Sequence, residues 1–287
     1  MKKVLITGVN SYVGNKFAEW MDNYPGEFDI DKVSLRDDEW KDIDLSIYDS
    51  ILHVAGIAHV STDPKMEELY YKVNRDLTIE VAEKAKEAGV KQFVFMSSII
   101  VYGNNNQVLI DENSKPNPSN FYGQSKLEAE EGIQCLEDEA FKVAIIRPPM
   151  IYGHGSKGNY PKLAKAARKL PIFPDINNIR SMLHIDNLSE FLRLMIKNEE
   201  QGLFFPQNEK YVRTSNMVKI IAEVHHKNIH LIKLFNPILY IMVHYKVSIV
   251  NKVFGSLVYD QALSVYKDEY RIVNLKESIK RTENRTG

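Results

Sequence analysis

The first twenty-one residues constrain this chain more than any other stretch. Lys2-Lys3-Val4-Leu5-Ile6-Thr7 is a short apolar run that reads as a buried strand, and it enters a glycine turn, Gly8-x-x-Ser11-x-x-Gly14. The amphipathic run Phe17, Ala18, Trp20, Met21 follows, so a helix begins near Tyr12 and Val13. A strand that turns directly into a helix leaves free N–H groups and the positive end of the helix dipole facing the turn, which suits a pyrophosphate. Gly8 permits the tight turn, and Gly14 permits close packing of helix on strand. Ser11 stands where a third glycine is expected, so the backbone approach is more crowded there and a hydroxyl is offered to phosphate instead. In this strand–turn–helix context the motif reads as a docking point for a dinucleotide.

The same alternation continues downstream. Strands are expected near 3 to 7, 31 to 35, 51 to 55, 92 to 97 and 142 to 147, and helices near 12 to 23, 66 to 72, 74 to 88 and 121 to 139. The helix at 74 to 88 carries Leu77, Val81, Ala82 and Ala85 on one stripe and stops at Ala88-Gly89. Strands alternating with helices predict an α/β fold with a doubly wound parallel sheet of the Rossmann kind. Beyond Gly153 the regularity falls, and a helix from about 160 to 169 opens a smaller C-terminal part that would hold substrate. The division expected is 1–158 for the dinucleotide-binding domain and 159–287 for the substrate-binding domain.

At 287 residues and 44% apolar content the chain has ample material for a core. Net charge is −1 with no long basic run, which argues against nucleic acid as a partner. The single cysteine, Cys135, has no internal partner, and Met-Lys-Lys leads into a core strand rather than a signal sequence, so a reducing cytoplasm is expected. Eight histidines without ligand spacing predict no metal site. The apolar stretch from Pro237 to Val243, resumed at Val247 to Val250, is broken by His244, Tyr245 and Lys246 and is too short for a membrane span. It reads as a buried helix in preference to one lying on a membrane surface.

Chemistry concentrates in two segments. Ser97-Ser98 follows the apolar strand Phe93-Val94-Phe95-Met96, and Tyr122 and Lys126 stand four apart in Phe121-Tyr122-Gly123-Gln124-Ser125-Lys126. On a helix that spacing shares a face, so the ammonium can sit near the phenol and favour phenolate. Ser98 at the strand end can hydrogen-bond a carbonyl or alkoxide oxygen while hydride moves at its carbon. Tyr122, Lys126 and Ser98 therefore form a candidate hydride-transfer site, with Ser97 a structural neighbour. Asp186 reads as the cap of a helix from Asn187 to Met195 rather than a catalyst.

These motifs, with His53-Val54-Ala55-Gly56-Ile57-Ala58-His59-Val60, Asn74, Val101-Tyr102-Gly103, Arg147-Pro148-Pro149-Met150-Ile151-Tyr152-Gly153 and Arg180 through Asp186-Asn187-Leu188, resemble the extended short-chain dehydrogenase/reductases over nearly the whole chain. That family comprises nucleotide-sugar epimerases, dehydratases and ketoreductases. The resemblance implies that 181–199 returns to the cofactor domain, that Ala55, Gly56 and Pro148 help hold the dinucleotide, and that Lys126 also holds the nicotinamide ribose. It implies substrate contacts at Asn74, Ser98, Asn159 and Arg180, a UDP-sugar as substrate, and a homodimer through the helices at 74 to 88 and 121 to 139. Asn74 has two readings, a bond to backbone near the active site or a helix N-cap.

Cofactor choice turns on Val33-Ser34-Leu35-Arg36-Asp37-Asp38. An arginine at the second strand's end accommodates a 2′-phosphate and an acidic residue binds the free ribose hydroxyl, so Arg36 favours NADP(H), while Asp37 or Asp38 would serve NAD(H) if the strand ended one residue later. Where related 4,6-dehydratases carry an Asp-Glu pair after the serine, this chain has Ile99 and Ile100, which have no proton to trade. The remaining reactions are reduction of a UDP-4-keto-6-deoxy-N-acetylhexosamine, favoured by the resemblance to bacterial 4-ketoreductases, and 4-epimerisation of a UDP-hexose. The ketoreductases' Trp-x-Pro near the carboxyl end is replaced here by Tyr270-Arg271-Ile272. A non-catalytic dinucleotide-binding redox sensor would not need all three of Ser98, Tyr122 and Lys126.

Overall fold

The computed structural model describes residues 1–57, 63–103, 108–245 and 247–284; Ala58, His59, Val60 and Lys246 of the motifs above lie outside the described residues. In chain order the elements are β1 (Lys2–Thr7), α1 (Tyr12–Met21), β2 (Phe28–Val33), β3 (Ser50–His53), α2 (Glu67–Tyr70), α3 (Leu77–Glu87), β4 (Gln92–Met96), β5 (Leu109–Ile110) and α4 (Phe121–Gln134). There follow β6 (Lys142–Ile146), β7 (Met150–Tyr152), α5 (Asn159–Lys169), β8 (Ile172–Pro174), β9 (Met182–His184), α6 (Ile185–Lys197), β10 (Gly202–Phe204) and α7 (Thr214–Val224). The last are β11 (His230–Ile232), α8 (Asn236–His244), α9 (Ser248–Phe254), β12 (Val258–Tyr259) and α10 (Leu275–Asn284).

Six parallel strands form the central sheet in the order β10-β6-β4-β3-β1-β2. Side chains alternate across it, as the period of two demands. Val4, Ile6, Val94, Met96, Ala144 and Ile146 point to the face covered by α1 and α6. Leu5, Phe93, Phe95, Val143 and Ile145 point to the face covered by α3 and α4. Helices on both faces make this the doubly wound α/β fold. From β1 the chain moves to β2 on one side and β3 on the other, so the loops after β1 and β3 part and leave a crevice at their carboxyl ends.

α6 packs on the α1 face, with Leu188, Phe191, Leu192 and Met195 in one core with Phe17 and Met21. A separate core of Tyr152, Tyr160, Leu163, Val218, Ile221 and Ile279 joins β7 to α5, α7 and α10. Asp186 lies in the first turn of α6 and pairs with Arg281 at 3.0 Å, while the N-cap is His184, which accepts the Asp186 N–H; the expected Asp186 cap is thus replaced.

Other boundaries differ for identifiable reasons. β2 ends at Val33 because its register with β1 starts at Phe28 and runs out at Thr7. α4 stops at Gln134 because Asp138 accepts the N–H groups of Ala140 and Phe141 in a turn that no glycine or proline announces. The helices expected at 66 to 72 and 74 to 88 form one helical body, joined through a π-helical turn over Tyr71–Asp76. The buried-helix reading of 237 to 243 is overturned: Ile238 is 62% exposed and Ile241 58%.

His53 ends β3 fully buried, its ring nitrogens facing the hydroxyls of Thr7 at 3.0 Å and Thr78 at 3.1 Å. Burial, with a smaller push from the Lys126 charge, lowers its pKa to about 3. The unfolded chain binds this proton near pH 6.5 and the folded one does not, so stability is full above that value and lost as pH falls towards 3. By pH 5 the loss is on the order of 2 kcal/mol. Urea unfolding of the parent and His53→Gln across this range checks it: the variant should lack that part of the slope, and parallel curves would refute it.

Candidate active site

Three loops at the carboxyl ends of parallel strands build the site. The turn after β1 holds Gly8 at φ +89°, a left-handed conformation that favours glycine, and a Cβ there would stand 3.1 Å from the Ala55 backbone in the loop after β3. Gly14 lies so close to the sheet that a Cβ would meet Ile6 at 2.8 Å and Val54 at 3.0 Å. α1 begins at Tyr12 as expected, and Ser11 caps it in extended backbone, its hydroxyl accepting the Gly14 N–H at 3.3 Å. Helical geometry directs the first-turn N–H groups of Tyr12 and Val13 out of the same end. The cradle of Gly8, Ala55, Gly14 and this helix start fits a dinucleotide pyrophosphate.

The catalytic candidates are assembled by α4 and the end of β4. Asn120 caps α4 by accepting the Gly123 N–H at 2.9 Å, which places Tyr122 in the first turn. Gly123 lets that turn press on the segment after Ser98, since a Cβ would sit 2.8 Å from the Ile100 carbonyl oxygen. Ser98 stands beside the Tyr122 phenol and favours its ionised form, and the Tyr122 ring meets Tyr70 edge-on with centroids 5.9 Å apart. Ser98 caps the 3-10 turn of Ile99–Tyr102, and the Ile99 N–H donates to the Pro148 carbonyl at 3.0 Å, tying the loop after β6 to the site.

One turn behind Tyr122, Lys126 is buried and donates to the Met96 carbonyl at 3.0 Å, with its ammonium 4.5 Å from the centre of the Phe95 ring. Burial lowers its pKa to about 8, against an opposing pull from Glu130. Tyr122 is pushed the other way, to about 12, by burial, with the Ser98 hydrogen bond as the opposing influence. The expected lowering of the Tyr122 pKa by Lys126 is therefore not met: the ammonium is directed at Met96, and burial favours the neutral phenol.

Asn74 sits in the π-helical turn, wholly buried, and is no N-cap. Its side-chain oxygen accepts the Ile57 N–H at 2.8 Å, while its amide donates to the Ile57 carbonyl at 3.2 Å and to Ser125 at 3.3 Å. It fastens the loop after β3 to α4, and Gly56 fits between it and Lys126, where a Cβ would stand 2.9 Å from Asn74 Oδ1 and 3.3 Å from the ammonium. With its polar atoms so engaged, Asn74 serves the loop rather than a substrate.

Asn159 and Arg180 meet at a second pocket, lined also by Met150, Met182, Thr214 and Lys252. Both donate to the Lys252 carbonyl, Asn159 at 3.5 Å. Burial lowers the Arg180 pKa, and among the described residues no carboxylate forms an ion pair with it. Arg36 is exposed beyond the end of β2, its N–H donating to Ser34 at 3.3 Å. Asp37 caps the following turn, and Asp38 pairs with Lys41 at 3.2 Å.

The sequence reading missed a buried polar chain behind Ser98, Tyr122 and Lys126. Ser97 donates to the Glu130 carboxylate, which Arg147 grips through Nε at 3.1 Å to both oxygens, and Arg147 Nη1 reaches the Tyr102 hydroxyl at 2.8 Å. Its signal was present: Tyr122, Lys126 and Glu130 are spaced by four, so a helix face already assigned to the interior carried a carboxylate that needed a buried cation. Among the described residues, no group of three or more His, Cys, Asp or Glu is arranged to hold a metal ion.

Comparison with known proteins agrees with this architecture. The model of the NAD dependent epimerase/dehydratase family matches residues 4–205. The UDP-glucose 4-epimerase of Vibrio cholerae is 30% identical over 246 residues, covering 77% of this chain and 75% of that protein. The N-acetyl-alpha-D-glucosaminyl-diphospho-ditrans,octacis-undecaprenol 4-epimerase of Escherichia coli O157:H7 is 31% identical over 238 residues, covering 77% and 71%. The fold is shared with UDP-glucuronic acid 4-epimerase from Bacillus cereus, solved with NAD, at TM-score 0.73 and 16% identity, over 97% of this chain and 94% of that one. A dTDP-4-dehydrorhamnose reductase from Clostridium acetobutylicum gives TM-score 0.75 at 16% identity, over 98% of each chain. With the nucleotide cradle, the Tyr122, Lys126 and Ser98 arrangement and the matched family model together, the chain belongs to the NAD-dependent epimerase/dehydratase family.

Proposed function

We propose that the chain inverts C4 of a sugar carried on a diphosphate, by removing and returning hydride at that carbon. The observation that carries this reading is the placing of Tyr122 beside Ser98 at the end of β4, with Ile99 and Ile100 where a second acid and base would be needed for dehydration. Both relatives of about 30% identity described above are named as 4-epimerases, which supports inversion over net reduction. Bound dinucleotide would supply the hydride acceptor and donor. For the oxidative half Tyr122 must enter as phenolate, its own proton passed to solvent; it then takes the C4 hydroxyl proton as hydride leaves and returns it as the carbon is reduced on the opposite face, with Ser98 holding the C4 oxygen. Arg180 and Asn159 suit the diphosphate and sugar end of the substrate, a guanidinium without a carboxylate partner being a ready phosphate ligand. The carrier in this reading is UDP; the name of the E. coli relative extends the choice to a lipid diphosphate. A homodimer through α3 and α4 belongs to the same reading, and sedimentation velocity tests it.

The second reading is reduction of a UDP-4-keto-6-deoxy-N-acetylhexosamine, favoured by Arg36. An exposed cation just beyond β2, with Asp37 and Asp38 already engaged, suits the 2′-phosphate of NADP(H) over NAD(H). Arg36→Asp should shift the kcat/KM preference towards NADH, and an unchanged NADPH/NADH ratio would remove the assignment. To separate the two reactions, UDP-glucose and UDP-N-acetylglucosamine are incubated without reductant and followed by NMR. Inversion at C4 establishes the epimerase. Stoichiometric NADPH oxidation with the 4-keto sugar, and no inversion, makes the protein a reductase.

A further inference from the structure

α8 is apolar on every side. Leu239, Met242 and Val243 are half-buried against the protein, while Leu234, Ile238, Ile241 and Tyr245, spaced four, three and four apart along one stripe, are 77%, 62%, 58% and 75% exposed. Single exposed apolar residues are ordinary on protein surfaces, but a continuous stripe marks something that covers it. The helix is fastened in this orientation: Asn236 donates to the Asp175 carbonyl at 2.8 Å, and the Tyr240 hydroxyl accepts the Asn177 N–H at 3.4 Å.

Charge identifies the cover. The whole chain carries 38 Asp and Glu, yet none lies between Val224 and Tyr259, where Lys227, Lys233, Lys246 and Lys252 stand with His226, His230 and His244, while His225 faces Glu283 of α10 at 2.5 Å. Lys227, Lys233 and Lys252 are exposed, and the Asp175 carboxylate beside α8 is taken by Arg213 at 2.9 Å. Pairing two copies through this face would bring together two segments that carry lysines and no carboxylate, which costs binding energy. An anionic bilayer satisfies both features at once, the stripe entering the acyl boundary and the lysines meeting headgroup phosphates, with Tyr240 and Tyr245 at the level where aromatic side chains settle. No helix among the described residues is long and apolar enough to cross a membrane, so the helix would lie in the surface.

We propose that α8 is a membrane-docking element that seats the protein on an anionic lipid surface. α9 packs on α8 and contributes Lys252 to the pocket of Asn159 and Arg180, so docking brings that pocket to the lipid boundary. The docking stands independently of the sugar reading, because its test measures lipid binding alone.

The full-length protein is mixed with vesicles of phosphatidylcholine, with or without phosphatidylglycerol, and floated on a density gradient. Binding is expected only to the anionic vesicles, to fall with added salt, and to drop about tenfold or more in Ile238→Asp/Ile241→Asp, whose exposed positions leave the thermal melt unchanged. Equal recovery of parent and variant with anionic vesicles would overturn the proposal. A parent that stays off the vesicles and forms a dimer abolished by the same substitutions would assign the stripe to a second copy instead.

Discussion

Tyr122→Phe is expected to lower kcat by about a hundredfold to ten-thousandfold, the usual span for loss of a positioned proton carrier. The fold should survive, because the ring keeps its edge-on packing against Tyr70 and only the hydroxyl beside Ser98 is lost. One neutral hydrogen bond of this kind is worth about 1 kcal/mol, too little to unfold the protein. Since the phenol stands at about 12, the parent enzyme holds its proton throughout the neutral range, so kcat in the reductive direction should not fall between pH 6 and 8 through Tyr122 itself. Lys126, at about 8, is the group that loses charge at the upper end of that range. Ser98→Ala removes the hydroxyl that restrains the phenol pKa and should lower kcat less than Tyr122→Phe, the proton carrier itself being intact. Steady-state kinetics on all three proteins, with circular dichroism to confirm folding, checks the set, and a Tyr122→Phe enzyme with near-parental kcat would remove Tyr122 from the chemistry.

How much of this was open to sequence reasoning follows from where the determining forces are local. The turn Gly8 to Gly14 and the Tyr122, Lys126 pair were legible because each is set by short-range geometry, a positive φ or a four-residue helical step. Five of the six central strands were found from their apolar runs, whereas β10, three residues pairing with β6 at the sheet edge, carries too little pattern to announce itself. The role of Asn74 depended on a π-helical turn that no propensity scale sees, since its bonds to Ile57 close over seventeen residues of chain. The reading of α8 failed for a different reason. Apolar content predicts burial only when the fold has somewhere to put the helix, and here the interior side is filled by Leu239, Met242 and Val243 while the outer stripe has no layer above it among the described residues.

Arg147→Met is expected to destabilise the protein by about 3–5 kcal/mol, the cost of leaving a carboxylate buried without its cation. Glu130 is 2% exposed and Arg147 6%, and the guanidinium lies over the rings of Tyr102 and Phe205 at 5.2 and 5.9 Å. Removing the arginine leaves Glu130 with the Ser97 hydroxyl as its direct partner among the described residues, and its charge then acts on Lys126 without compensation. Glu130→Met has the converse effect, stranding a largely buried guanidinium without its carboxylate and freeing Ser97. The double replacement Glu130→Met/Arg147→Met removes both charges and fills the space with apolar atoms, so it should be far less destabilising than the sum of the two single changes. Urea unfolding of the four proteins gives the coupling energy directly, and additive losses would show that the pair is not acting as a unit. The cycle also reads out on the site. Glu130 raises the Lys126 pKa, so Glu130→Met should move it further below about 8 and bring the loss of Lys126 charge into the neutral range. The double variant, although stable, should therefore show a kcat that falls at lower pH than the parent's, which separates a chain that merely holds β4 against α4 from one that also sets the charge beside Tyr122.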